Sequence, residues 1–302
     1  AQMEPPIVSV EEGDIILKMG SKVTALDLEK YSKFLNLTVK DRNLLPKRVF
    51  ITLGTFLFSV IYITLIMPGF WRDSSRAGIV SVAILANLGL SRFILELGGT
   101  DLFGENALLV GLLPNLLPVA FASMIVMTTV GPRMATLTAL MTSIFHASMQ
   151  NAGIDVFATG FSSALVGAFF CREVRLRGAA LKAGALAGLT AAVMAVGLGI
   201  ASGSGALASI NHAGISLLIG VFTGALVLGA MPLMENVFKV ATDATLFELT
   251  DFNHPLLRKM QIEAPGSYHH SLMVANLSEN AAIAVGANPI LCRAASLFHD
   301  IG

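Results

Sequence analysis

Charge is what this sequence has least of. Only 13% of its 302 residues are Asp, Glu, Lys or Arg and 54% are hydrophobic, whereas about 25% charged is usual in soluble domains. That excludes an ordinary soluble globular chain and leaves a membrane protein. Nor does either sign prevail: Lys plus Arg and Asp plus Glu number 20 each, so no global bias points to nucleic acid or to an acidic substrate. Cysteine is nearly missing. Cys171 and Cys292 both fall at or beyond the face assigned below to the cytoplasm, where thiols stay reduced, so no disulfide is expected. A start methionine and a charged-then-apolar leader are absent too. The opening Ala-Gln-Met-Glu-Pro-Pro reads as a window cut from a longer chain, with no signal peptide in view.

What is present is a succession of long apolar runs. A bilayer span needs roughly 17 to 25 mostly apolar residues, and residues 49–67, 78–97, 113–131, 133–150, 155–171, 178–201 and 213–238 each supply such a run. Gly131-Pro132-Arg133 is a turn signal that divides the third from the fourth. The fifth run is the shortest. Residues 1–45 are polar and mixed, the end of a preceding extracellular domain. They hold an alternating run from Ile7 to Val10 and a helical pattern from Thr24 or Asp27 to Leu37, with Leu28, Tyr31, Phe34 and Leu35 at helical spacing.

Basic residues in the short loops set the orientation. Arg72 and Arg76 follow the first run, Arg133 the third, and Arg172, Arg175 and Arg177 the fifth; Asp101, Glu105 and Asp155 mark the opposite loops, which have no Lys or Arg. The odd loops are therefore cytoplasmic, the N-terminus lies outside and the C-terminal part inside. Lys40, Arg42, Lys47 and Arg48 oppose this locally, but a large preceding domain translocates regardless of its charge. Residues 46–240 form the membrane domain, and 241–302 return to soluble composition as the start of a second, truncated domain. There Asn253 is expected to cap a helix with Pro255 in its first turn, Ser267 to cap another that stops at Gly286, and Asn288-Pro289 to start a third.

Inside a bilayer, ionisable side chains are costly and by default functional. Arg92, Glu96, His146, Lys182 and Glu235 qualify, yet nearly all stand within a turn or two of a span end, where long side chains reach water. Arg92 and Glu96, four apart, are placed to pair. No charged residue marks the midplane, which argues against a transporter. Gly184 with Gly188, and Gly220 with Gly224, fit close helix packing. Asn87, Asn115 and Gln150 suit either interhelical hydrogen bonds, the simpler reading, or the wall of a ligand pocket.

Two histidine clusters remain, Tyr268-His269-His270-Ser271 and Phe298-His299-Asp300. His270 shares a helical face with Val274, Leu277, Ala281 and Ala284, so it is expected to point inward, whereas His269 aligns with the more polar Met273, Asn276 and Asn280. Imidazoles beside a carboxylate suit iron, manganese or zinc, and two such ions together can activate water and steady a leaving phosphate oxygen. A lone His-Asp also fits a hydrogen-bonded core histidine with an aspartate near a helix end. The residues alone leave both open.

The run from Leu-Thr-Asp-Phe-Asn-His-Pro-Leu-Leu through Glu-Ala-Pro-Gly-Ser-Tyr-His-His-Ser-Leu-Met-Val to Phe-His-Asp-Ile-Gly closely resembles the seven-transmembrane-receptor HD hydrolases, bacterial membrane phosphodiesterases of cyclic di-AMP. Gly131-Pro132-Arg133 and Pro232-Leu233-Met234-Glu235 look like that family's membrane domain, and Glu11-Glu12-Gly13-Asp14 with Gly20 and Val23-Thr24 like the close of its extracellular domain. The resemblance implies an all-α protein: a seven-helix transmembrane bundle followed by the start of a helical cytosolic HD domain. It implies His270, His299 and Asp300 as ligands of two divalent transition-metal ions, iron or manganese, with Asp300 catalytic as the bridging carboxylate. It further implies hydrolysis of cyclic di-AMP to the linear dinucleotide in a bacterial inner membrane. The family also uses later histidines and a later aspartate, so these 302 residues are not expected to catalyse by themselves. The partners implied are the cyclic dinucleotide and the bilayer, with an extracellular ligand and a homodimer left open and no DNA. The alternative is a receptor or scaffold whose HD module binds nucleotide without cutting it.

Overall fold

The computed structural model describes residues 30, 44–97, 112–172, 178–203 and 205–301. The expected run Ile7 to Val10, the Thr24-to-Leu37 helix apart from Lys30, the residues Lys40, Arg42, Asp101, Glu105, Arg175 and Arg177, and the N-terminal family-like stretch lie outside them. Among the described residues all regular structure is helical. The chain divides into two compact units, residues 1–53 and 54–302. In the first, the described residues 44–53 belong to a helix whose Leu45, Phe50 and Leu53 are exposed.

Among the described residues seven α-helices cover the apolar region: α1 Leu44–Ile66, α2 Ser74–Leu97, α3 Phe121–Thr129, α4 Pro132–Met149, α5 Ile154–Phe170, α6 Ala179–Ala201 and α7 Ala206–Phe238. Four are long and apolar enough to cross a membrane, namely α1 (from Leu45), α2, α6 and α7. Thus the expectation of seven equivalent spans gives way to a less uniform set. The last helix starts earlier than the expected residue 213 and runs for 33 residues, about 50 Å at 1.5 Å per residue.

The third expected span, 113–131, is broken. A 3-10 turn at Leu113–Leu116 gives way to extended backbone at Leu117, and only then does the nine-residue α3 begin. Proline is the cause: Pro118 has no N–H to donate and disfavours helical backbone in the residue before it. Such a break strands polar backbone among apolar groups, where each unpaired group is costly. Asn87 on α2 repairs it, donating from Nδ2 to the Pro118 carbonyl at 2.7 Å while fully buried. The division between α3 and α4 falls where expected. Gly131 has φ +119°, a conformation that only glycine takes without strain, and Pro132 opens the next helix.

The tightest packing joins α6 to α7. A Cβ added at Gly184 would lie 2.6 Å from the Gly224 amide nitrogen, and one at Gly188 would lie 2.7 Å from the Ser216 carbonyl. The four glycines are thus the packing surface that their spacing suggests, and backbone meets backbone. Ser163 on α5 joins this pair by donating to the Ala187 carbonyl at 2.9 Å. Arg92 and Glu96 do pair, at 2.8 Å on an exposed face. Lys182 is exposed.

Beyond α7 come α8 Asp243–Leu249, α9 Pro255–Glu263, α10 Pro265–Val285 and α11 Pro289–Phe298. Glu235 near the end of α7 accepts hydrogen bonds from Thr242 and, at 2.9 Å, from Thr245, so it ties α7 to α8 and is not a bilayer charge. Two expected caps are corrected. His254, not Asn253, caps α9 through Nδ1, because Asn253 is held in a turn by Asp251. The next helix begins at Pro265, ahead of Ser267. The other two expectations hold: Gly286 closes α10 at φ +71°, and Asn288 caps α11 by accepting from the amides of Ile290 and Leu291.

Replacing Asn87 by Leu should remove the side-chain donor to the Pro118 carbonyl, which keeps the Phe121 amide at 3.0 Å, and lower stability by about 0.5–1.5 kcal/mol, measured by unfolding in detergent micelles. Gly184→Leu should cost about 1–3 kcal/mol by forcing α6 from α7. Gly229→Leu, at a position open on every side, should cost little. Equal losses at the two glycines would refute the packing assignment.

Candidate metal centre

The small core under the two histidine clusters consists of Leu257 and Met260 from α9, Ala275 from α10 and Leu297 from α11, with Tyr268, Leu272 and Phe298 packed around it. On α10 the buried positions are Ser271, Ala275 and Ala282. The inward face is therefore not the expected line through His270, since Leu277 on that line is 68% exposed and Ala281 and Ala284 are exposed too. The line through Ser271 wins because it meets α11, where Ser296 donates to Ser278 at 2.9 Å and Arg293 pairs with Glu279.

His270 is exposed, one residue or about 100° of helix rotation from buried Ser271. His269 is exposed as well, and what distinguishes His270 is its neighbour across the edge of the packed face. At that edge it meets the second cluster: the rings of His270 and His299 lie 5.4 Å apart between centroids, inclined at 53°. His299 sits where α11 ends, and its Nδ1 donates to the Ser296 carbonyl at 2.8 Å. That bond fixes the tautomer and leaves Nε2 as the ring's free lone pair, the usual state of a metal-binding histidine. Asp300 follows directly and is exposed.

Two of the three expected ligands, His270 and His299, are thus brought together by the fold, and the Asp300 carboxylate is adjacent in sequence. Among the described residues no group of three or more His, Cys, Asp or Glu is gathered closely enough to hold an ion alone. The donor set nevertheless fits a divalent transition metal, with a tautomer-locked imidazole, a second imidazole beside it and a carboxylate oxygen within one residue. Sequence reasoning missed His254. Its ring packs edge-on against Phe298 at 5.2 Å, buttressing the residue before His299 while capping α9. The signal was the His-Pro pair at a helix start.

The family described as 7TM receptor with intracellular HD hydrolase matches residues 46–242, and the HD domain family matches residues 267–302. A protein named cyclic-di-AMP phosphodiesterase PgpH, from Bacillus subtilis, is 34% identical over 197 residues, covering 62% of this chain and 27% of the relative. The protein of the same name from Listeria monocytogenes is 29% identical over 302 residues, covering 98% of this chain and 41% of the relative. An uncharacterized Synechocystis protein is 42% identical over 85 residues, covering 28% of this chain and 10% of that protein. The chain therefore spans less than half the length of the curated relatives that it matches. No solved structure matches it. A matched stretch of about two thirds of its length, with the HD match over its histidine clusters, makes this chain a member of the membrane family of 7TM receptors with an intracellular HD hydrolase.

Proposed function

We propose that the protein to which this chain belongs is a membrane-anchored, metal-dependent phosphodiesterase that opens cyclic di-AMP to the linear dinucleotide. The observation that carries this reading is the approach of His270 and His299 within the HD-matched segment. The names of the two PgpH relatives support the choice of substrate. In this reading residues 1–45 end an extracellular domain, 46–240 cross the bacterial inner membrane seven times with the N-terminus outside, and 241–302 begin the cytosolic HD domain. The loop arginines support the orientation, and the seven α-helices among the described residues of 44–238 support the count.

Two divalent ions, iron or manganese, would supply Lewis acidity toward water and phosphate when bound. This chain's residues do the holding. His299 presents Nε2 because the Ser296 carbonyl engages Nδ1. His270 presents its imidazole from the facing helix edge, and Asp300 supplies the carboxylate that can face both ions. The later histidines and aspartate that the family resemblance implies would add to these three ligands. A regulatory role for the extracellular and membrane parts is part of the same proposal.

In the complete protein, His270→Ala, His299→Ala and Asp300→Ala should each lose bound metal and cyclic di-AMP hydrolysis while the protein stays in the membrane. His269→Ala should cost much less. Metal content and turnover measured on the same samples decide this: unchanged turnover in the His299 and Asp300 variants would sink the assignment, and equal loss at His269 and His270 would reverse the choice between them. Histidine-selective ¹⁵N spectra of the metal-free protein should show His299 with its proton on Nδ1. A predominant Nε2–H form would contradict the second-layer bond to Ser296.

A further inference from the structure

Between α4, α5, α6 and α7 lies a cavity of about 610 Å³, which the broken segment before α3 helps to line through Asn115, Leu117 and Val119. Its volume is that of a small-molecule site. Small residues of α6, among them Ala191 and Ala195, form an apolar wall, and Asn115, His146, Gln150, Asp155 and His212 bring polar groups to it. Irregular backbone within a membrane domain is characteristically found where it borders such a cavity.

The polar groups are not all satisfied by one another. Asn115 donates its amide to Nδ1 of His212. His146, only 1% exposed, has Nε2 at 2.7 Å from Ser91 Oγ, while its Nδ1 has no partner. Ser91 Oγ also lies 2.8 Å from the Asn87 carbonyl, which can only accept. With the single hydroxyl proton of Ser91 given to that carbonyl, His146 carries its own proton on Nε2 and donates it to Ser91 Oγ. Nδ1 is then a bare acceptor, buried behind the cavity wall to which His146 belongs. Leaving such an atom unpaired is costly. Among the described residues that line the cavity none is Lys or Arg, and Asp155 is the one that carries a formal charge.

We propose that this cavity binds a small organic amine, an apolar body carrying N–H donors, with the Asp155 carboxylate as the counter-charge. An anionic ligand is disfavoured, since it would meet a carboxylate with no basic side chain among the described lining residues to offset it. Gln150, Asp155 and Ser202 stand at one end of the cavity-forming helices. By the topology proposed above that end faces outside, so only the side of access rests on the earlier reading.

The test uses the complete protein in lipid nanodiscs, with Cys171→Ala and Cys292→Ser as background and Ala191→Cys, or Ala195→Cys as a second position, as reporter. Rates of modification by aminoethyl and sulfonatoethyl methanethiosulfonate are each normalised to an exposed cysteine. The cationic reagent should be faster by about tenfold, and the preference should shrink in Asp155→Asn. Phenethylamine should slow the reaction and phenylacetate should not, and Asp155→Asn should weaken the protection. No labelling at either reporter, equal rates for the two reagents, or protection by phenylacetate at least as strong as by phenethylamine would each overturn the proposal. Because labelling does not depend on hydrolysis, a failed phosphodiesterase assignment would leave these rates untouched. Right-side-out vesicles separately report the side of access.

Discussion

The approach of α6 to α7 along four glycines is the constraint on which the membrane part depends. Without side chains at Gly184, Gly188, Gly220 and Gly224 the two backbones touch, and their contact is van der Waals packing that lipid cannot replace. Gly188 and Gly220 belong also to the cavity wall. The same small residues that bring the helices together at one level therefore leave space at another, where α4 and α5 bring larger polar side chains instead. Ser163 fixes α5 to that pair, and Asn87 fixes the broken segment opposite.

Periodicity and composition made the helices legible because each apolar run is bounded by its own stop signal. Gly131-Pro132, Gly286 and Asn288-Pro289 behave as their stereochemistry requires. What eluded the sequence was less regular. Pro118 looks like one more apolar residue in a hydropathy window, yet it breaks the third run, and its carbonyl draws in Asn87 from another helix. Hydropathy averages over backbone conformation and cannot register this. His212, which partners Asn115, sits at the start of a run too apolar to draw notice.

The candidate metal centre shows a similar division. The residues His270, His299 and Asp300 follow from motif resemblance, and the fold brings the two rings together. The helical face was misjudged, since a stripe of apolar residues through Leu277 competes with one of small and polar residues through Ser271. The second wins by meeting α11, where Ser278, Glu279 and Asn276 find partners. Alternation of apolar residues registers hydrophobicity, whereas these helices are joined largely by hydrogen bonds between modest side chains.

One consequence of α7 extends past packing. It is a single helix from Ala206 to Phe238: His212, Ser216 and Thr223 touch the cavity near one end, and Glu235 receives Thr242 and Thr245 at the other. Along this rod only Pro232 interrupts the hydrogen-bond ladder, one turn before Glu235. A helix resists stretching but bends where a rung is missing. The same helix thus joins the cavity wall to the Glu235 contact with α8, and the left-handed turn at Lys239 is where the chain leaves it.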